Sequence, residues 1–207
     1  MPQQVAVDNG LTITAAAETW TCGDFYPNGT VWQTPTAWPY ITGDIQWANF
    51  NFTYGTVEIR AQFPSISTGL WPALWLLGQN CQATNPYTGE TGVGNCPSFG
   101  SNGYTEIDMV ECMVTTNWCQ LNVFNPLSVG QSQFTVDTNW HIFTTVWNAS
   151  TVTESVDGVV QATSDGPSPT GPMFLIMQIQ TGGLGGNPNN AFLPATLGVD
   201  YVRVTQP

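Results

Sequence analysis

No window of this chain repeats its apolar residues at the spacing of a helix, whereas segment after segment alternates at period two. Thr56-Val57-Glu58-Ile59-Arg60-Ala61-Gln62-Phe63 alternates cleanly, and Pro64 closes it. Leu11–Ala15, Trp140–Trp147 and Leu197–Val204 show the same pattern. Thr151–Val160 reads as a hairpin turning at Asp157-Gly158. Gly69–Gly78 and Pro172–Thr181 are apolar runs of strand length, and Trp118–Phe124 is a candidate return strand after the segment 104–112. Many short strands separated by turn clusters predict an all-β chain folded as an antiparallel sandwich or barrel. With no internal repeat and no linker, the 207 residues are read as one domain, 1–207. Residues 20–47 are rich in aromatics (Trp20, Trp32, Trp38, Tyr40, Trp47) and turns, and 79–103 form a long polar loop with two cysteines. The glycines at 182–186 follow a strand but lead into Asn187-Pro188-Asn189-Asn190, so a dinucleotide-binding reading fails.

Within that framework one strand concentrates charge. Glu106-Ile107-Asp108-Met109-Val110-Glu111 holds three carboxylates in six residues of a chain that is only 8% charged. Glu106 and Asp108 share a face, while Glu111, five positions from Glu106, falls on the other. A one-residue bulge between Asp108 and Glu111 would bring all three acids to one side. Carboxylates so placed about a sugar can run retaining glycoside hydrolysis, one attacking the anomeric carbon and the other serving as acid and then base. The bland alternatives are a solvated strand edge or a calcium site. Against the edge stand the core-like spacers Ile107, Met109 and Val110, and no Lys or Arg lies nearby to neutralise the acids.

Lysine is absent, and Arg60 and Arg203 are the only arginines against 14 acids, a net charge of −12. Nucleic acid and anionic membrane surfaces are therefore excluded as partners, because phosphate recognition needs cations. The same balance suits a secreted protein working in acid, where protonation removes most of the charge. No apolar run approaches membrane-spanning length. No signal peptide is present, and Met1-Pro2-Gln3-Gln4 reads as a trimmed start. Five cysteines without a Cys-x-x-Cys pair, and a single histidine, argue against zinc. Cys81 and Cys96 flank a loop that a disulfide would staple, Cys112 and Cys119 bracket a turn, and Cys22 is left over. Spacing does not settle the pairing; for an exported chain, disulfides outweigh free thiols.

Nine tryptophans suit a sugar site, since aromatic faces stack on pyranose rings. Trp71 and Trp75 sit four apart on one strand face with the small Ala73 between them, the pattern of a cleft floor or of a core. His141 has a buried structural role and a site role open to it.

Taken together, these motifs resemble family 16 of the glycoside hydrolases in its laminarinase-like branch. Glu106–Glu111 is similar to the family's bulged catalytic signature, and Gly69–Leu76 to its Gly-x-Trp-Pro-Ala-x-Trp-Leu segment. Phe52–Arg60, Trp140–Phe143, Val156-Asp157-Gly158, Gly182-Gly183 and Val199–Val204 match further landmarks in order, so the likeness spans residues 10–205. It implies a β-jelly-roll sandwich, concanavalin A-like, with a concave sugar-binding cleft and endo-hydrolysis of β-glucan with retention. Glu106 would be the nucleophile, Asp108 its electrostatic helper and Glu111 the acid/base. Trp71 and Trp75 would line donor-side subsites, and Trp118, His141 and Gln178 complete the implied substrate-binding set, with His141 at a cleft position.

The departures bear on specificity. The family's first strand is missing or trimmed, so the resemblance does not supply a partner for the final strand. A structural calcium often sits in the family near that segment and Asp200; no cofactor or metal is expected from this sequence. Asp44 stands where the family often has an arginine, and Trp118–Phe124 replaces a His-rich strand. The loop 79–103 is longer than usual and is placed to wall one end of the cleft. Relatives acting on sulfated galactans need cationic clefts. This chain has two arginines, both on framework strands, which favours a neutral β-glucan, handled by a monomer. The bulged signature and Trp-Pro-Ala lean toward β-1,3- over mixed β-1,3-1,4-linkages. A lectin-like glucan-binding module is the competing class, although such modules lose catalytic acids and this chain keeps all three. A transglycosylase using the same acids is the third.

Overall fold

The computed structural model describes residues 4–7, 10–22, 36–65, 69–85, 89–94, 96–113, 118–125, 128–165 and 167–207, without the side chains at 22, 36, 128–131 and 165. Trp32 and the side chain of Cys22 lie outside that set. The strands in chain order are β1 (Val5–Val7), β2 (Leu11–Ala15), β3 (Trp20–Cys22), β4 (Thr36–Trp38), β5 (Gly43–Gln46), β6 (Gly55–Gln62), β7 (Leu70–Gly78), β8 (Gln82–Thr84) and β9 (Thr91–Val93). They continue as β10 (Glu106–Met113), β11 (Trp118–Phe124), β12 (Ser128–Phe134), β13 (Trp140–Trp147), β14 (Thr151–Val156), β15 (Val159–Asp165), β16 (Met173–Thr181) and β17 (Ala195–Thr205).

Two antiparallel sheets carry the fold. One has seven strands in the order β1-β2-β17-β6-β13-β14-β15, the other six in the order β12-β11-β10-β7-β16-β5. The alternation read from the sequence becomes the division between layers. On β6, Val57, Ile59 and Ala61 are buried while Glu58, Arg60 and Gln62 face outward. On β13, Phe143, Thr145 and Trp147 turn inward. These meet Leu74 and Leu76 of β7 and Ile107, Met109 and Val110 of β10 in one apolar cluster shared by both sheets. Each fully buried large side chain contributes about 1.5–3 kcal/mol relative to exposure, enough to hold the layers face to face. Trp147 satisfies its buried indole by donating to the Pro169 carbonyl at 3.1 Å. Asp157 and Gly158 both adopt positive φ, 51° and 79°, and close the β14–β15 hairpin as their sequence predicts.

The final strand finds its partners in β2 on one side and β6 on the other. Cys81–Cys96 and Cys112–Cys119 are disulfides. The first closes the loop after β7, which is not featureless: it contains a 3-10 turn (Gln79–Cys81) and the β8–β9 hairpin. The second joins β10 to β11 at paired positions.

Candidate active site

Strand β10 carries the bulge that would bring its three acids to one face. Asp108 pairs with Asn122 and Trp75, yet Glu111 pairs with Gln120 and Ala73, so β10 uses one residue more than either neighbour over this interval. Met109 and Val110 both turn into the core with no exposure, and Glu111 returns to the face of Glu106 and Asp108. The acids are thus seated on the concave face by the apolar residues between them.

The pairing places side chains in rows across the sheet. Gln120, Glu111, Ala73, Gln178 and Asp44 form one row, from β11 through β10, β7 and β16 to β5. Asn122, Asp108, Trp75, Ile176 and Gln46 form the next, and Phe124, Glu106, Leu77 and Phe174 the third. Around the acids these rows, with Trp71, Gln180, Tyr104, Phe99 and Leu184, bound a depression of about 320 Å³. Its floor is lowest at Ala73, between the two larger indoles.

Hydrogen bonds fix each acid. Tyr104 donates its phenol O–H to Glu106 Oε2. Trp71 Nε1 donates to Glu111 Oε1 at 2.8 Å, while Gln120 Nε2 and Asn122 Nδ2 donate to Glu111 Oε2 at 2.7 and 2.9 Å. Asn122 Nδ2 also reaches Asp108 Oδ2 at 3.2 Å, so one amide ties two of the acids together. Trp71 is held from behind: Gly183, with φ 55°, leaves room where a Cβ would come within 2.8 Å of the indole ring. The indole N–H of Trp75 is buried without a hydrogen-bond partner, on a ring packed against the apolar cluster that includes Leu77, Phe174 and Ile176.

Burial and mutual repulsion set the protonation states. Burial is the largest influence on Asp108, and with the charges of Glu106 and Glu111 it lifts Asp108 well above the carboxylate range. Burial also raises Glu106, as does the charge of Glu111, opposed by hydrogen bonds from Tyr104 and Asp108 that favour the ionised form. A neutral Asp108 donating to an ionised Glu106 satisfies both tendencies. The site therefore combines a carboxylate with two O–H donors aimed at it and a second carboxyl group held by three N–H donors.

Of the predicted site residues, the structure brings Glu106, Asp108, Glu111, Trp71, Trp75 and Gln178 into one depression. Trp118 pairs with Met113 two rungs beyond Gln120 and does not bound it. His141 corrects the resemblance. It lies on β13 in the seven-stranded sheet, where its Nδ1 meets Asp157 Oδ2 at 2.6 Å and its Nε2 meets Asp137 Oδ1 at 2.8 Å. Strand pairing assigns β13 to β6 and β14, which removes His141 from the acid-bearing face. Residues the sequence reading passed over are Tyr104, Gln120 and Asn122. The alternation of Gln120 and Asn122 with Cys119, Leu121 and Val123, opposite an acid strand, is the signal that marks them.

Of the loop 79–103, Phe99 lines the depression. Phe99 packs on Tyr104 and Phe124, with centroids 5.1 and 5.0 Å apart, while at the other edge of the sheet Val93 N donates to Gln46 Oε1 at 2.8 Å. Beneath it Leu77, Phe174, Ile176 and Cys81 form a second apolar cluster. Asp200, which the resemblance puts near a calcium, accepts from Arg60 at 2.8 Å. Among the described residues no group of three His, Cys, Asp or Glu stands ready for a metal.

The family model for glycosyl hydrolases family 16 matches residues 3–203. A keratan-sulfate endo-1,4-beta-galactosidase from Sphingobacterium multivorum is 30% identical over 165 residues, 75% of this chain and 37% of that protein. Glucan endo-1,3-beta-glucosidase A1 from Niallia circulans is 29% identical over 191 residues, 80% of this chain and 26% of that protein. The chain thus spans well under half of either relative. Among solved structures, the laminarinase catalytic domain from Thermotoga maritima MSB8 superposes with a TM-score of 0.76 at 24% identity, covering 100% of this chain and 82% of that one. With its profile matched nearly end to end and its acids on a bulged strand of a two-sheet sandwich, this chain belongs to family 16 of the glycosyl hydrolases.

Proposed function

We propose that this chain is a secreted endo-β-glucanase that hydrolyses β-1,3-glucan with retention of configuration and accepts mixed β-1,3-1,4-glucan less well. The observation that carries the reading is the bulge, which sets Glu106, Asp108 and Glu111 on one face of a tryptophan-lined depression. Glu106 attacks the anomeric carbon while Glu111 protonates the leaving glycosidic oxygen, and a covalent glycosyl–Glu106 ester forms. Glu111 then takes a proton from water, whose oxygen attacks the same carbon and releases Glu106. Asp108 and Tyr104 hold Glu106 by donating to it, and these bonds are strongest while it carries charge. Trp71, Trp75 and Gln178, which line the depression, face the sugar.

The similarity to a keratan-sulfate galactosidase raises an anionic substrate. The charge distribution opposes it. Arg60 and Arg203, the only lysine or arginine side chains of the sequence, pair with Asp200 and Glu58 on the seven-stranded sheet, and the titratable carboxyl groups Glu106, Asp108 and Glu111 line the depression with no cation among them. A sulfated chain would meet repulsion with no compensating donor.

Incubation with laminarin, following reducing ends and product lengths, tests the reading. The expected result is a rapid fall in chain length with new reducing ends, lost in Glu106→Gln. Binding without new ends would make the chain a lectin, longer products would make it a transglycosylase, and cleavage confined to keratan sulfate would overturn the substrate.

A further inference from the structure

The row of side chains that carries Glu111 does not stop at the depression. From Glu111 it runs through Ala73 and Gln178 to Asp44 on β5, the edge strand. Asp44 pairs directly with Gln178, and period-two alternation puts both on the concave face. At about 4.8 Å per strand, Asp44 stands roughly 14 Å from Glu111 along this row, a span of several sugar residues.

Three observations distinguish Asp44 from an ordinary surface acid. First, it is exposed, and one oxygen is already oriented: Gln46 Nε2 donates to Oδ2 at 2.8 Å. Second, Gln46 is itself fixed at its other end, because its Oε1 accepts from Val93 N of the β8–β9 hairpin at 2.8 Å. The carboxylate is therefore anchored through a chain of two hydrogen bonds to that hairpin. Third, Asp44 lines a groove of about 900 Å³ between β5 and that hairpin, with Gln46, Asn49 and Glu90, so there is room above it. Neither arginine of the sequence is nearby to pair with it, since Arg60 and Arg203 are paired on the other sheet.

We propose that Asp44 is a distal substrate-binding residue that accepts hydrogen bonds from adjacent hydroxyls of a neutral glucan, several residues from the cleaved bond. The proposal rests on the β-glucanase reading of the same cleft. A carboxylate accepts from a vicinal pair of hydroxyls with charge-assisted strength, and a sugar carrying sulfate there is repelled. Gln178, whose Oε1 accepts from Gln180 Nε2 at 3.2 Å, keeps its own amide N–H groups for the preceding sugar. A binding surface is thereby extended from the acids to the sheet edge, and only long chains use its far end.

The test measures binding and turnover as a function of chain length. Calorimetry on Glu106→Gln and on Glu106→Gln/Asp44→Ala, with β-1,3-linked gluco-hexasaccharide and trisaccharide, should show Kd for the hexasaccharide rising about tenfold with Asp44→Ala, as for the loss of one hydrogen bond to a charged group, and Kd for the trisaccharide unchanged. With Glu106 intact, Asp44→Ala should raise KM for the hexasaccharide by the same factor and leave kcat alone. Asp44→Asn, which keeps an acceptor for Gln46, should fall between. Equal effects on both sugars would place the role in bracing the hairpin and overturn the proposal, as would no effect on either. Failure of the parent chain to cleave any β-glucan, with the binding difference intact, would instead overturn the catalytic reading and leave Asp44 supported.

Discussion

Replacing Glu154 by Gln should remove a large part of the pH dependence of stability. Glu154 projects from β14 into the core with no exposure, between Val152 and Val156. Its Oε2 accepts from the Thr145 hydroxyl, and its Oε1 has no partner. Burial is the dominant influence and pushes its carboxyl group up to about 8, from an ordinary 4.5. The folded chain thus keeps a proton that the unfolded chain releases. The part of stability that Glu154 controls is greatest in acid, falls as pH rises from about 4.5 to about 8, and is flat beyond. At about 1.36 kcal/mol per pH unit the whole span is worth about 5 kcal/mol, of which roughly 3–4 is lost between about pH 5 and pH 8. Gln has nearly the same shape and no charge. Its amide meets the same unsatisfied environment, at a cost of about 1–3 kcal/mol that does not vary with pH. Urea unfolding of both proteins at the two pH values reads the difference in slope, free of that constant and of other titrating groups. The parent should lose several kcal/mol more than Glu154→Gln. Equal losses would show that Glu154 ionises normally in the folded state and refute the argument.

Tyr104→Phe removes an O–H donor that favours the ionised form of Glu106, so the nucleophile's already raised pKa rises further and the acid limb of kcat/KM moves to higher pH. Loss of one bond to a charged group should also lower kcat roughly tenfold at the optimum, and an unmoved pH profile would contradict the assignment. His141→Gln should leave kcat/KM on laminarin unchanged, because the ring lies on the opposite sheet. For His141 itself, burial pulls the pKa down but hydrogen bonds to Asp157 and Asp137 outweigh it, so the value is raised. The ring's modest stabilisation is present below its ordinary pKa of 6.5 and lost as pH rises through the raised one, which thermal unfolding across that range measures.

How much of this was legible follows from what alternation encodes. Period two tells inward from outward, and so Leu11–Ala15, Trp118–Phe124 and Trp140–Trp147 were read with the bounds they have. The bulge could be proposed because simple alternation puts Glu111 on the face opposite Glu106 and Asp108, and one extra residue between Asp108 and Glu111 reunites them. His141 was placed in the cleft by the resemblance, and alternation could not correct it, because it does not say which of two sheets a strand joins; that depends on pairing with β6, distant in sequence. Strand β12 and the β8–β9 hairpin were missed because Ser, Gln, Gly and Thr dominate them and their pairing, not their composition, makes them strands. Tyr104 sits before β10 and reaches Glu106 by packing under Phe99, a contact that no local spacing announces.

The central claim is that Glu106 becomes covalently bonded to sugar. A 2-deoxy-2-fluoro β-1,3-glucobioside with a good leaving group slows hydrolysis of the ester more than its formation, and so traps it. Intact mass followed by peptide mapping should show one added glycosyl unit on the peptide containing residues 104–113, localised to Glu106. A label on Glu111 or Asp108, or steady turnover of laminarin with inverted products and no labelled protein, would contradict it.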